Sequence, residues 1–302
     1  MCPPSSKAAA AGLVLKLSLL ALGTSAFSAA TMQYLYDAPE SALDTRYVYQ
    51  WEVLKEALER TTPGDGPYML APAPPMSERR QTDELQAGSG SITVMYLSPT
   101  PELEKTLIPV RIPVDKNLAG YNVFLIRKAD APRFSAVKTL ADLRAFSYGL
   151  GLGWIDVGIL HANGFNVVTG SSYDGLFEML ENRRFDVFLR GAVEVLGELD
   201  SRRAQMPDLA IESSIILYYP LPMYFWFSRN AEGARLAARA RAGMLAMIQD
   251  GSYDRLFDRF QGDKVARLHL AQRRIFRIEN PNLGPETPFG DARLWFHLPQ
   301  ER

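Results

Sequence analysis

The sequence predicts an α/β protein built from two lobes with a hinge between them and a C-terminal extension. Strand-like and helix-like segments alternate through residues 137–191, which is typical of a lobe with a mostly parallel sheet. An aromatic stretch broken by Pro220 and Pro222 then indicates that the chain crosses back to its first lobe. The predicted domains are a signal peptide (1–30), a discontinuous first lobe (31–119 and 213–262), a second lobe (120–212) and the extension (263–302).

The N-terminal segment has the pattern of a secretory signal peptide. Lys7 supplies a positive charge, an apolar run follows at 8–22, and small residues precede Thr31. The alternative is a membrane anchor, which requires about twenty uninterrupted apolar residues, and Lys16 interrupts this run. We therefore expect cleavage near Ala30 and a periplasmic location.

Composition limits the partners and the chemistry. The only cysteine, Cys2, precedes the expected cleavage point, so the mature chain can form no disulfide. A formal charge of −1 gives no reason to expect nucleic acid as a partner, and no later apolar stretch is long enough to span a membrane. The three histidines are isolated, and the glycines at 149–153 do not match the dinucleotide-binding pattern. We expect neither a metal nor a cofactor.

Apolar runs and turn signals define the elements of the first lobe. The first helix has an apolar stripe that includes Trp51 and Leu54, can be capped by Asp44 or Thr45, and is expected to end at Pro63. Ser77 is typical of the residue that begins a second helix. The predicted strands are 32–36, 68–73, 92–96 and an extended segment at 108–115, and the predicted helices are 45–60 and 77–86.

The second lobe begins with a strongly apolar strand at 121–126. Apolar strands at 147–154 and 184–191, and the segment 169–180 that opens a helix, lead into residues suited to ligand contact. After the return crossing, helices at 234–250 and 253–261 are expected to end at Gly251 and Gly262. The extension is expected to carry a charged helix, a short strand at 275–278 and an apolar end.

Candidate ligand-binding residues follow the predicted strands of both lobes. Open α/β sheets bind ligands beyond the carboxyl ends of their strands, so these side chains should meet in one cleft. The candidates are Asp37, Ser98 and Thr100 in the first lobe and Trp154, Ser171, Ser172, Tyr173 and Arg190 in the second.

Each candidate also has a purely structural interpretation. Asp37, Ser98 and Thr100 suit turns or helix caps, and either serine of the pair at 171–172 suits an N-cap. Trp154 suits a core position, and Arg190 suits an ion pair with Glu194 or another acid. The sequence leaves both interpretations open for every candidate.

Four short fragments, in this order along the chain, resemble one family of proteins. They are Thr100-Pro-Glu, the helix start at 139–143, Arg184-Phe-Asp and the Gly-containing element at 250–256. Together they resemble the type II periplasmic solute-binding proteins of extracellular family 3, and the resemblance covers most of residues 31–262. It implies a small polar ligand clamped between two α/β lobes, and a partner that is an inner-membrane ABC transporter or a sensor.

Two positions depart from the pattern of the family's amino acid binders. The resemblance implies an arginine after Thr-Pro-Glu to pair with a ligand carboxylate, and Leu103 stands there. It also implies an aspartate after the strand that follows Asp186, and Arg190-Gly191 stands there. We therefore expect an anionic or neutral polar ligand with Arg190 as its main charge partner. Two alternatives remain, a dehydratase-like enzyme on the same fold and an interaction scaffold without a ligand.

Overall fold

The computed structural model describes residues 1–2, 31–38 and 48–301. Almost all of the predicted signal peptide, and the predicted helix caps Asp44 and Thr45, lie outside these residues. Among the described residues, no helix is both long enough and apolar enough to cross a membrane.

The first lobe contains two small sheets. Strand β1 pairs in parallel with β2, and β11 lies between β3 and β4 and is antiparallel to both. Helices α1 and α9 pack against each other beside these sheets. The bounds are β1 Met32–Asp37, α1 Val48–Asp65, β2 Tyr68–Ala73, α2 Glu78–Ala87, β3 Met95–Leu97, α3 Pro101–Thr106, β4 Leu107–Val110, β11 Tyr224–Ser228, α9 Ala231–Gln249 and α10 Ser252–Arg267.

The second lobe has a seven-stranded mixed sheet. Its strand order is β12-β10-β5-β8-β6-β7, and β9 pairs with the end of β5 on the edge that β10 occupies at its start, opposite β8. All seven residues of β5 are buried, and its apolar side chains alternate between two core clusters, one on each face of the sheet. The bounds are β5 Tyr121–Arg127, α4 Ala131–Ser135, α5 Leu140–Arg144, β6 Ser147–Gly151, α6 Ile155–Ala162, β7 Asn166–Gly170, α7 Tyr173–Glu181, β8 Val187–Gly191, α8 Val195–Arg202, β9 Leu209–Ile211, β10 Ile215–Tyr218 and β12 Arg274–Arg277.

Strand pairing places one segment differently from the sequence analysis. The sequence predicts that the range 213–262 belongs to the first lobe, but β10 pairs with β5 and β12 in the second-lobe sheet. The next strand, β11, lies in the first lobe between β3 and β4. We therefore propose that the return crossing is confined to residues 219–223 and that the second lobe includes β10.

Two helices run further than the sequence predicts. Helix α1 continues through Pro63 to Asp65, and a proline in the last turn removes only one donor from a helix that is about to end. Helix α10 continues through Gly262 to Arg267. Gly251 does end α9, since its φ of 73° is in the left-handed region.

The two crossing segments between the lobes are fastened to each other. Val114 N donates to Met223 O at 2.9 Å, and the Asn117 side chain accepts from Leu221 N at 2.6 Å. Asp115, which is 1% exposed, accepts from the backbone N–H groups of Asn117 and Ala119 at 3.0 and 2.7 Å. These bonds fix the local path of the first crossing.

The extension packs on its own chain and reaches both crossing segments. Strand β12 joins the second-lobe sheet, and Asn280 then donates to Pro220 O at 2.8 Å. Further on, Phe296 N donates to Lys116 O at 2.7 Å. The Phe296 ring contacts Tyr121 of the second lobe and Phe257 of α10, with ring centroids 5.6 and 5.7 Å away.

We expect Gly243→Ala to destabilise the protein, by about 1 to 3 kcal/mol. Gly243 is buried in α9, and a Cβ there would lie 2.0 Å from the carbonyl oxygen of Ala57 in α1, so the two helices would have to separate. The matched control is Gly262→Ala in α10, where a Cβ meets nothing within 4 Å. The control should gain up to about 1 kcal/mol from helix propensity. Urea unfolding measures both, and equal effects of the two substitutions would contradict the close contact between α1 and α9.

Asp115 should make stability depend on pH. Burial raises the pKa of Asp115 from 3.8 to about 6, although its hydrogen bonds with backbone N–H groups lower it in part. The folded protein therefore holds this proton more tightly than the unfolded chain, and the free energy of unfolding should fall as the pH rises from about 4 to 6, by at most about 3 kcal/mol. Asp115→Asn should remove this component. Denaturant unfolding across this pH range tests it, and equal pH slopes for the variant and the wild type would disprove it.

Candidate functional site

A cleft of about 760 Å³ separates the two lobes, and both contribute to its walls. Seven of the eight residues that the sequence predicts for ligand binding line it. They are Asp37, Thr100, Trp154, Ser171, Ser172, Tyr173 and Arg190.

Ser98 is not among the residues that line the cleft. It follows β3 as the sequence predicts, but it is fully buried and its hydroxyl has no hydrogen-bond partner. The sequence pattern does not show that Ser98 is directed into the protein and away from the cleft.

The first-lobe candidates have structural bonds of their own. The carboxylate of Asp37 accepts from Met76 N at 2.9 Å and from Gln81 Nε2 at 2.8 Å, which joins β1 to the start of α2. The hydroxyl of Thr100 accepts from Leu103 N at 3.1 Å and caps α3. Both residues line the cleft wall while they hold that wall together.

Arg190 lies at the end of β8 and is only 4% exposed. Its Nε lies 3.1 and 2.9 Å from the two carboxylate oxygens of Glu198, and its Nη2 lies 2.7 Å from Glu198 Oε1 and 2.8 Å from Glu194 Oε1. Burial alone would lower the pKa of Arg190, but Glu194 and Glu198 raise it, so the guanidinium stays charged. The ion pair that the sequence allowed as an alternative is therefore present.

Trp154 forms the floor beside this ion pair. Its indole stacks on Phe188, with centroids 6.3 Å apart and planes inclined at 19°, and the Arg190 guanidinium lies 4.9 Å from the indole centroid. Gly151 allows this position, because a Cβ at Gly151 would lie 2.3 Å from the indole. Trp154 is thus both packed and in contact with the cleft.

The start of α7 forms the adjoining part of the second-lobe wall. Ser172 is its N-cap and accepts from Gly175 N at 3.2 Å, while Ser171 is exposed at the cleft. Tyr173 is buried, and its hydroxyl donates to Glu198 Oε1 at 2.7 Å. The wall is therefore one hydrogen-bonded unit that joins β8, α7 and α8.

Sequence reasoning missed several residues that line the cleft: Trp51, Tyr96, Asn122, Asp156 and Glu194. Asp156 stands in the first turn of α6 and accepts a hydrogen bond from the buried Tyr219 hydroxyl. Burial raises the pKa of Asp156, while Tyr219 and Arg190 lower it in part. The only indication in the sequence that Asp156 lies in the cleft is its position two residues after Trp154.

The geometry removes the basis for an anionic ligand held by Arg190. Two carboxylates of the protein already neutralise that guanidinium, so a ligand carboxylate would meet Glu194 and Glu198 at the same place. Within residues 31–38 and 48–301, no cluster of three or more His, Cys, Asp or Glu side chains is placed to hold a metal ion. The cleft is suited to hydrogen bonds, charge pairing and aromatic contact with a small organic molecule.

No family model matches the sequence, and a search of curated proteins finds no match. Solved structures do match. An amino acid ABC transporter substrate-binding protein from Streptococcus pneumoniae, with bound L-arginine, is similar with a TM-score of 0.54, 16% identity and coverage of 78% of this chain and 96% of that one. A histidine kinase sensor domain with similarity to periplasmic binding proteins has a TM-score of 0.53, 15% identity and coverage of 78% and 97%.

A third similar structure is an ancestral amino acid-binding protein that is a precursor of cyclohexadienyl dehydratase. Its TM-score is 0.53 at 14% identity, with coverage of 76% of this chain and 95% of that one. Identities this low show the fold alone. The chain therefore has the two-lobed type II periplasmic-binding fold, as the resemblance of its sequence implied.

Proposed function

We propose that this protein is a periplasmic solute-binding protein that captures a small polar ligand in the cleft between its lobes. The observation that carries the proposal is the composition of the cleft, which has aromatic faces, hydroxyl groups and carboxylates on walls from both lobes. A ligand that contacts both walls favours the closed arrangement of two such lobes. The signal-peptide pattern of the sequence supports the periplasmic location.

Two roles are open to such a protein: it delivers the bound ligand to a membrane transporter, or it reports the ligand to a sensor. Similar structures include a transporter's binding protein and a sensor domain, so the fold supports both. A scaffold without a ligand is less well supported, because three large apolar residues near the end of the extension are buried in this chain. These residues are Leu294, Trp295 and Leu298.

A second candidate function is a dehydratase-like activity, and Asp156 is the observation that favours it. A carboxyl group with a raised pKa in a cleft is suited to donate a proton to a leaving group. Asp156 meets this description, although it also accepts a hydrogen bond from Tyr219. Turnover of a bound compound would separate this function from simple capture.

Ligand binding should be visible as a rise in thermal stability when the protein is screened against amino acids, amines, organic acids and sugars. A ligand at a hundred times its dissociation constant adds about 2.7 kcal/mol. Ser171→Trp places an indole at the cleft wall and should abolish the rise. Ser135→Trp is the matched control, because Ser135 is also exposed but is not among the cleft-lining residues, and it should leave the rise unchanged.

The same screen distinguishes the candidate functions. A saturable rise without consumption of the compound supports solute binding, and consumption of the compound supports the enzyme. A screen without any rise, or a rise that Ser171→Trp does not change, would refute binding in this cleft.

A further inference from the structure

A second, smaller cavity lies beside the cleft, where the two lobes and the first crossing segment meet. Its volume is about 60 Å³. Helices α1 and α10 form most of its walls, and Val193, which also lines the cleft, contributes from the second lobe. Its lining includes Tyr49, Gln50, Asp115, Val193, Gln261 and Lys264.

Two glutamines in these walls have side-chain groups that lack a hydrogen bond. Gln50 of α1 is 2% exposed and Gln261 of α10 is 1% exposed. Within residues 31–38 and 48–301, neither Gln50 Nε2 nor Gln261 Oε1 has a hydrogen-bond partner. The first atom is a donor and the second an acceptor. Unpaired groups in the interior cost free energy, and nearly all buried polar groups of folded proteins are paired with the protein or with water.

Further polar groups border the same cavity. Lys264 donates from Nζ to Val193 O at 2.7 Å, which uses one of the three N–H groups of the ammonium. The carboxylate of Asp115 accepts from Asn117 N and Ala119 N, and each of its oxygens has a second lone pair. The walls therefore offer both donors and acceptors.

The size and the chemistry of the cavity together determine what it can hold. Sites for organic ligands usually have about 300 Å³ or more, so this cavity is too small for such a molecule. A water molecule takes up about 30 Å³ in the liquid, which leaves room for about two. An ion would satisfy only the donors or only the acceptors, whereas water satisfies both.

We propose that this cavity is a binding site for ordered water, which bridges Gln50 of α1 and Gln261 of α10. The site goes beyond the proposed function of the cleft, because it does not depend on a ligand. Buried waters usually make about three hydrogen bonds to groups that would otherwise be unpaired. The two amides and the ammonium of Lys264 are suited to supply them.

The site also connects the first lobe to the second. Gln50 and Gln261 belong to helices of the first lobe, and Lys264 continues the contact to Val193 in the loop between β8 and α8. A bridging water is nearly as favourable as a direct hydrogen bond. The lobes are therefore joined beside the cleft by water as well as by side chains.

A crystal structure at a resolution that shows ordered water tests this site directly. We expect one water within hydrogen-bonding distance of both amides, or two waters in a chain between them. A cavity without water, or a direct hydrogen bond between the two amides, would overturn the proposal.

A double-mutant cycle in urea unfolding tests whether the two amides share this water. Gln50→Met and Gln261→Met keep the approximate shape of each side chain and remove its amide. Either substitution alone removes one partner of the bridge and should lower the equilibrium constant for folding about tenfold. The double variant leaves neither amide unpaired, so its loss should also be about tenfold.

Gln249→Met is the matched control, because it makes the same change at an exposed position of α9. It should alter the equilibrium constant by about twofold at most. A loss of about a hundredfold in the double variant, which is the product of two independent losses, would contradict a shared water. Single substitutions that behave like the control would do so as well.

Discussion

The buried ion pair between Arg190 and Glu198 determines the character of the cleft. A guanidinium and a carboxylate that are almost excluded from water must remain paired, since removal of either partner leaves an uncompensated charge. Because Glu198 also accepts from Tyr173, and Arg190 lies against Trp154, the pair fixes two further side chains of the wall. Among the described residues that line the cleft, Arg190 is the only buried guanidinium, and this pair already uses it within the protein.

Local sequence patterns predicted the helices and strands well, because strand patterns, helix caps and the glycines that end helices each depend on only a few neighbouring residues. The predicted helix start at 139–143 is confirmed, with Thr139 and Asp142 forming a capping box, and Gly251 ends α9. The sequence pattern did not predict that β10 and β11 lie in different sheets. The strands with which each of them pairs are distant in sequence, so local patterns do not identify them. Gly262 lies inside a helix for a related reason: burial of Tyr253, Leu256 and Phe257 outweighs one weak helix former.

The site was predictable in position but not in charge. Strand ends identified seven residues of the cleft, because the carboxyl ends of strands converge whatever their side chains are. The sequence allowed an ion pair between Arg190 and Glu194, which is present, but it did not identify Glu198 as the second partner, because Glu198 lies on α8 and its approach depends on how that helix packs. Trp51 and Tyr96 were missed because apolar stripes and short strands do not show which aromatic residues face a cleft.

The extension gives the lobes a third connection beside the two crossing segments. Its backbone bonds to Lys116 and its Phe296 ring contacts both Tyr121 and Phe257, so separation of the lobes has to disturb these contacts as well. A protein that spends more of its time in the binding-competent arrangement loses less affinity to the population of other states. The extension therefore couples the relative position of the lobes to its own packing, and a shortened chain would lose this coupling.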